Sequence, residues 1–175
     1  ADSALTLPIP ANAYTVEVGG VDGGTGVALA EIYDAGGGLA SGELINISGR
    51  GFVGTGENIL IGGFTVAGDA PVLVLIRAAG PALAPLGVSG TLARPRLGVF
   101  RGSAVLAGAE SWSTGDSPST VAAAATRVGA FRFVQGSDDA AMLLVLPPGS
   151  YTAHVSGADG GTGVALLEIY HVREF

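Results

Sequence analysis

The chain has 175 residues, of which 48% are hydrophobic and 13% are charged, and it contains 30 glycines but no cysteine. All eight basic residues are arginines, and fifteen acidic residues give a net charge of −7, so the basic surface that nucleic acid needs is excluded. Disulfides are excluded too, and no apolar run reaches the ~18 residues of a membrane helix. Because globular domains average about 25% charged residues, the low charge predicts surface that is buried against other copies of the chain.

Short apolar segments separated by glycine-containing turns follow one another along the chain. They are rich in β-branched and aromatic residues, which predicts an all-β, antiparallel, jelly-roll-like sandwich. A cap and proline signal at 116–118 before four alanines predicts one short helix at 119–128. The predicted strands lie at 4–9, 14–19, 26–34, 43–48, 58–66, 71–78, 95–101, 103–108, 130–135, 140–147, 151–156 and 163–172.

One segment of the sequence occurs twice. Residues 14–33 return as 151–170, with fifteen of twenty positions identical at an offset of 137. The glycines at 23, 24 and 26 can take positive φ, so we predict a β-hairpin with a short glycine loop in each copy. The same offset continues weakly upstream, where Asp2, Ala4, Leu7 and Pro10 correspond to Asp139, Ala141, Leu144 and Pro147.

The middle of the chain occurs once, which predicts two parts of unequal kind. Residues 1–38 form a partial repeat, the tail hairpin of a preceding repeat and a possible assembly arm, and residues 39–175 form a complete β-sandwich repeat. An isolated hairpin is marginal in water, so the first copy is expected to pack on a sheet of its own chain or of a neighbour. Its candidate assembly residues are Tyr14, Val16, Val18, Val27, Leu29, Ile32 and Tyr33.

The glycines at 49–54 match the G-x-G-x-x-G pattern of dinucleotide-binding loops. The following residues, 55–63, cannot open a helix, so no helix N-terminus is available for a pyrophosphate. We interpret the motif as a glycine-rich turn between strands and expect no cofactor.

Four aspartates are weak candidates for binding a cation such as calcium: Asp22, Asp159, Asp138 and Asp139. Calcium takes six to eight oxygen ligands, and these scattered carboxylates do not establish that number. Aspartate before glycine is also ordinary turn chemistry. A bound metal is therefore not the expectation.

Two charged residues lie in apolar surroundings. Arg77 closes an apolar run, and Glu168, like its counterpart Glu31, lies inside an apolar strand. A buried charge needs a partner, which predicts a structural ion pair between Arg77 and Glu168, and the alternative is that each group emerges at a strand end or edge. Neither interpretation implies catalysis.

Other chemistry-bearing residues are few. The two histidines, His154 and His171, are expected to lie on solvated strand faces, and no catalytic arrangement surrounds them, so we predict that the chain is not an enzyme. Trp112 and the four tyrosines either form an aromatic platform for sugars or fill the core.

Much of the chain resembles a repeat found in large secreted bacterial proteins, and the resemblance is carried by residues 44–64, 74–83, 146–156 and 163–170. From about Leu97 onward, the chain also resembles bacterial pre-peptidase C-terminal domains, on 100–106 and 148–152. It departs from them at 109–112, which reads Ala-Glu-Ser-Trp in place of an acidic Asn-Asp-Asp-Trp-like stretch. The resemblance implies a β-sandwich that is secreted or at the cell surface, and it carries over no catalytic residue.

Together these features predict a non-catalytic, extracellular structural protein. We expect it to assemble head to tail with copies of itself, as a filament or surface-matrix subunit, through strand or hairpin packing. The alternative is an accessory module of a larger secreted protein that binds polysaccharide or a cell surface.

Overall fold

Eight strands build two antiparallel sheets in the computed structural model of the protein, which describes residues 3–34, 43–113 and 118–173. The chain divides into two units, Ala1–Leu44 and Ile45–Phe175. The predicted boundary between residues 38 and 39 lies outside the described residues. No helix in the described ranges is long and apolar enough to cross a membrane.

All strands and the α-helix lie in the second unit. In chain order they are β1 Asn46–Val53, β2 Leu60–Val66, β3 Val72–Ala79, β4 Pro95–Arg101, β5 Ala104–Ala109, α1 Pro118–Arg127, β6 Ala140–Leu146, β7 Gly149–Gly157 and β8 Gly163–His171. Short 3₁₀ turns occur at Val21–Gly23, Pro81–Leu86 and Ala158–Gly160.

The strand order is β1-β8-β3-β6 in one sheet and β2-β7-β4-β5 in the other. Consecutive strands change sheet at every link except the link between β4 and β5. Two four-stranded sheets wound in this way form a jelly roll, which confirms the predicted fold class.

The core lies between the sheets, and side chains alternate toward it with period two. In β4, for example, Leu97 and Val99 are buried whereas Arg96 is exposed. The sheet that contains β3 is also covered on its outer face, where Leu75 packs on Ala124 of α1. Coverage of both faces explains why β3 is a continuous apolar run rather than an alternating one.

The duplicated segment is not a hairpin. β7 pairs with β2 and β4, whereas β8 pairs with β1 and β3, so the glycine link at 158–162 carries the chain from one sheet to the other. We call this link the arch. The hairpin prediction was wrong because the same left-handed residues that close a hairpin also turn a strand out of its sheet.

Two further predictions were wrong. Residues 49–53 of the glycine motif lie within β1, paired with β8, rather than in a turn. The predicted strand at 130–135 is irregular chain: Phe131 and Phe133 instead pack over the outer face of the sheet, with Phe133 against Trp112.

In the first unit, residues 3–34 contain one 3₁₀ turn and no assigned strand. The predicted strands at 4–9, 14–19 and 26–34 are therefore not formed. A strand requires a hydrogen-bonded neighbour, and the backbone of this unit pairs with none among the described residues.

Candidate functional site

The last three strands of the jelly roll, residues 140–171, are called the closing segment below. β8 fills the gap between β1 and β3, and β7 fills the gap between β2 and β4, so this segment completes both sheets. Its inward side chains belong to the main core, with Tyr151, Val155 and Ile169 all buried. Removal of the segment would leave an open slot in each sheet.

A buried ion pair ties the closing segment to the rest of the body. Arg77 of β3 lies directly opposite Glu168 of β8 in the strand register, and Nη1 of Arg77 is 3.4 Å from Oε2 of Glu168. The two residues are 1% and 4% exposed, so both charges are removed from water. Tyr170 donates a hydrogen bond of 2.6 Å to the other carboxylate oxygen.

Aromatic rings cover the guanidinium group of Arg77. Its central carbon lies 4.6 Å from the ring centre of Phe131 and 4.0 Å from that of Phe133. Its Nη2 donates a hydrogen bond of 2.7 Å to the carbonyl oxygen of Phe131. The irregular chain that the sequence predicted as a strand is therefore the cover of this ion pair.

Burial shifts the titration of this cluster. It raises the pKa of Glu168, against the opposing effects of Arg77 and of the bond from Tyr170. It lowers the pKa of Arg77, against the attraction of Glu168. Burial and the hydrogen bond to Glu168 raise the pKa of Tyr170. These shifts fit a structural role, since each group is held by fixed partners.

Residues 3–34, called the arm below, have the local geometry of the closing segment. Asp22 (φ 52°, ψ 31°) and Asp159 (φ 56°, ψ 25°) are both left-handed. The 3₁₀ turn closes with a hydrogen bond of 2.9 Å from Gly24 N to Val21 O in the arm, and of 3.0 Å at the equivalent atoms of the closing segment. The arch is thus present in both copies.

Side-chain hydrogen bonds are duplicated as well. Tyr14 donates to Pro10 O at 2.7 Å, as Tyr151 does to Pro147 O at 2.6 Å. Tyr33 donates to Glu31 at 2.7 Å, as Tyr170 does to Glu168, and this bond raises the pKa of Tyr33. The carboxylate of Glu31 is therefore held in the same local arrangement as that of Glu168.

Burial separates the two copies. Tyr14 is 52% exposed, whereas Tyr151 is 3% exposed, and Val18 is 58% exposed, whereas Val155 is fully buried. All of the residues predicted to mediate assembly are exposed in the arm: Tyr14, Val16, Val18, Val27, Leu29, Ile32 and Tyr33. The arm therefore has the arch and the tyrosine hydrogen bonds of a core segment, but its apolar side chains are exposed.

The candidate cation ligands are not brought together. Asp139 is buried and accepts hydrogen bonds from Gly80 N, Ala82 N and Ser137 Oγ, so it holds the start of a 3₁₀ turn. Asp159 forms an exposed ion pair with Arg94 at 2.6 Å, and Asp22 and Asp138 are exposed. Among the described residues, no group of three potential ligands could hold a metal ion.

Of the two alternatives for the aromatic residues, Trp112 and Tyr151 follow the one in which they fill the core. Trp112 and Tyr151 are buried, and the indole N–H of Trp112 bonds to Val134 O and Ser137 Oγ. A different aromatic surface lies on the outer face of β4 and β7, where the rings of Phe100 and His154 are 4.4 Å apart. Sequence reasoning missed it because these residues are 54 positions apart and become neighbours through strand pairing.

No known family profile matches the chain, and no curated protein sequence matches it. Among solved structures, it is similar to the pre-peptidase C-terminal domain of collagenase from Bacillus anthracis. That match has 12% identity and a TM-score of 0.42, and it covers 71% of this chain and 89% of that one. Values this low identify neither an activity nor a partner, and the resemblance to a secreted bacterial repeat stays a prediction.

Proposed function

We propose that this chain is a non-catalytic structural module of an extracellular assembly, joined head to tail to neighbouring sandwich units through its arm. The observation that carries the proposal is the arm itself, which repeats the closing-segment geometry while its apolar side chains are exposed. An exposed apolar surface of this extent is a binding surface.

Copies of the chain are the partners that the sequence predicts, and one sheet edge suits them. β5 is the last strand of its sheet and contains neither a charged residue nor a proline. Val105 and Leu106 on this strand are exposed. Natural edge strands usually carry charges or prolines that prevent pairing, so an edge without them can accept an added strand.

The charged residues of the interior support a structural role rather than a catalytic one. Arg77 and Glu168 bind each other, and Asp139 binds two backbone N–H groups. Their charged groups face other residues of the fold.

Deletion of residues 1–38 tests the proposal. We expect the full chain to form concentration-dependent assemblies, measured by light scattering and electron microscopy, and the deleted chain to be monomeric with an unchanged β-sheet circular dichroism spectrum. As a matched pair, Val18→Asp should suppress assembly and Thr25→Asp should not, because the counterpart of Thr25 in the closing segment, Thr162, is exposed. Assemblies that survive the deletion would refute a role for the arm.

A second candidate function is an accessory module that binds polysaccharide. It is favoured by the groove on the outer face of β4 and β7, about 440 Å³ in volume, where Phe100 and His154 lie beside the ion pair of Arg96 and Glu110. Flat rings next to charged hydrogen-bonding groups suit a sugar. Sedimentation with insoluble polysaccharides would test it, with loss of binding expected for Phe100→Ala and no change for Phe52→Ala, which is exposed on β1.

A further inference from the structure

We infer that the arm is the closing segment of a second jelly-roll body, and that its acceptor is a body built like β1 to β5 with α1 that lacks strands β6 to β8 of its own. The inference rests on the proposed role of the arm in assembly, and it names the acceptor. In the bound state, residues 14–20 would take the place of β7, and residues 26–34 would take the place of β8.

The registers of the existing body define the predicted contacts. β7 runs between β2 and β4, and β8 runs between β1 and β3. At the offset of 137, Val18 takes the buried position of Val155 and Ile32 takes that of Ile169. The arm already has the arch that separates two such strands into two sheets, so its turn is preorganised for a two-sheet slot.

The number of slots argues against an identical copy as the acceptor. Residues 1–175 contain two segments of the closing type, but the described part of them forms one body to receive such a segment. If the arm of one copy replaced the closing segment of another, the displaced segment would become exposed in its turn. Exchange among identical chains therefore leaves one segment uncovered per chain, whereas a body without a closing segment covers the arm with no such loss.

A buried ion pair would make the acceptor site specific for the arm. The acceptor position equivalent to Arg77 would bury a guanidinium group that needs a carboxylate, and Glu31 has the local geometry of the residue that serves Arg77 here. Glu31 is thus the predicted partner of a buried arginine. Glu17, in contrast, has its counterpart at His154 on the outer face of the sheet.

Three size changes at buried positions indicate that the acceptor differs in detail from this body. Ala153, Ala158 and Leu167 are replaced in the arm by Val16, Val21 and Ala30. Leu167 packs tightly over Gly62, where an added Cβ would lie 2.7 Å from its Cδ2. Ala30 would leave that space open, so an acceptor can carry a larger residue at the position of Gly62.

A tandem protein tests the inference. Residues 43–139 are joined directly to Ser3 of the chain, which adds one body without a closing segment and keeps the rest of the molecule intact. Hydrogen exchange is then measured by mass spectrometry on peptides from the arm, in the single chain and in the tandem. We expect exchange in the arm to slow by at least ~100-fold in the tandem, toward the rates of residues 151–157.

Variants of the tandem protein have two purposes. They correct the size differences between the arm and the closing segment, and they test the register of the arm in the acceptor. Ala30→Leu with Val16→Ala restores the closing-segment residues at two of the three buried positions that differ in size and should increase the protection. Glu31→Gln should speed exchange of the arm at least ~10-fold, and Glu17→Gln should not. Equal effects of the two glutamine variants would overturn the predicted register.

The remaining outcomes are decisive in either direction. An arm that stays unprotected in both the tandem and its Ala30→Leu, Val16→Ala variant would overturn the inference. Protection of the arm in the single chain at high concentration that equals its protection in the tandem would identify a second copy as the acceptor and would also overturn the inference, whereas weaker protection that rises with concentration is the edge contact of the proposed assembly. If the arm is protected in the tandem while the single chain stays monomeric, the inference stands and the proposed self-assembly fails.

Discussion

The arm and the closing segment share most of their sequence and their local backbone, yet they differ in burial. Both contain the left-handed aspartate, the 3₁₀ turn and the tyrosine hydrogen bonds. The closing segment is hydrogen-bonded on both sides in both sheets, and the arm is exposed. The comparison teaches that glycines and short-range hydrogen bonds suffice to shape the arch, whereas strand formation and burial depend on the body around it.

The difference also shows that a residue shared by the two copies can have a local role and a long-range role. Glu31 and Glu168 both accept a hydrogen bond from a tyrosine two residues ahead, but Glu168 alone has been placed against Arg77. Substitutions at paired positions can therefore separate the two roles within one molecule.

The largest effect is expected at the buried ion pair. Glu168→Ala should lower the free energy of unfolding by ~3–5 kcal/mol, because it leaves the guanidinium of Arg77 buried without a carboxylate. Glu31→Ala should change it by less than ~0.5 kcal/mol, because the arm side chain is exposed. Urea unfolding followed by the fluorescence of Trp112, the one tryptophan of the chain, measures both.

A double variant is the control for the first experiment. Arg77→Met with Glu168→Leu removes both charges and should recover most of the lost stability, because apolar replacement of a buried pair is often neutral. Equal losses for Glu168→Ala and Glu31→Ala would show that the arm is already part of the folded body and would break the comparison.

A smaller effect is expected at the glycine before each arch. A Cβ on Gly157 would collide with the carbonyl oxygen of Gly161, and a Cβ on Gly20 would collide with that of Gly24. Gly157→Ala should cost ~1–3 kcal/mol of stability, since the packed body must shift to accommodate the methyl group. Gly20→Ala should leave the unfolding midpoint of the body unchanged in the same assay. A comparable loss at Gly20 would mean that the arm contributes to the stability of the body.

Much of the fold could be predicted from the sequence. Period-two patterns located most strands of the body, and the jelly-roll class followed from their number and spacing. The arch was missed because its glycines and aspartate have the same local signature as a hairpin turn. A signal against the hairpin was nevertheless present: residues 163–170 are apolar at nearly every position, which is typical of a strand covered on both faces.

The site was harder to predict because it depends on register. The sequence indicated that Arg77 and Glu168 needed partners, but the antiparallel register of β3 and β8 is what sets them opposite each other. Phe131 and Phe133 alternate as in a strand, yet their rings cover Arg77 from an irregular segment. Alternation reports which side chains share a face, and it does not report whether a neighbouring strand exists.

The smallest predicted effect concerns pH and the residue that replaces Glu17 in the closing segment. Burial lowers the pKa of His154, whose ring contacts Phe100 and lies 3.0 Å from Thr152 Oγ1, in a groove that also contains Arg96 and Glu110. The folded protein therefore favours the neutral ring, so the stability that this residue contributes is fully present above the ordinary histidine pKa of ~6.5 and is lost as pH falls from there through the lower pKa of the folded protein. Between pH 7.5 and 5.5, the unfolding midpoint of the wild-type chain should fall further than that of His154→Gln, while Glu17→Gln should follow the wild type. If the wild-type midpoint falls no further than that of His154→Gln, the His154 ring is as well hydrated as Glu17 on the arm. The two copies would then differ less on the outer face of the sheet than in the core.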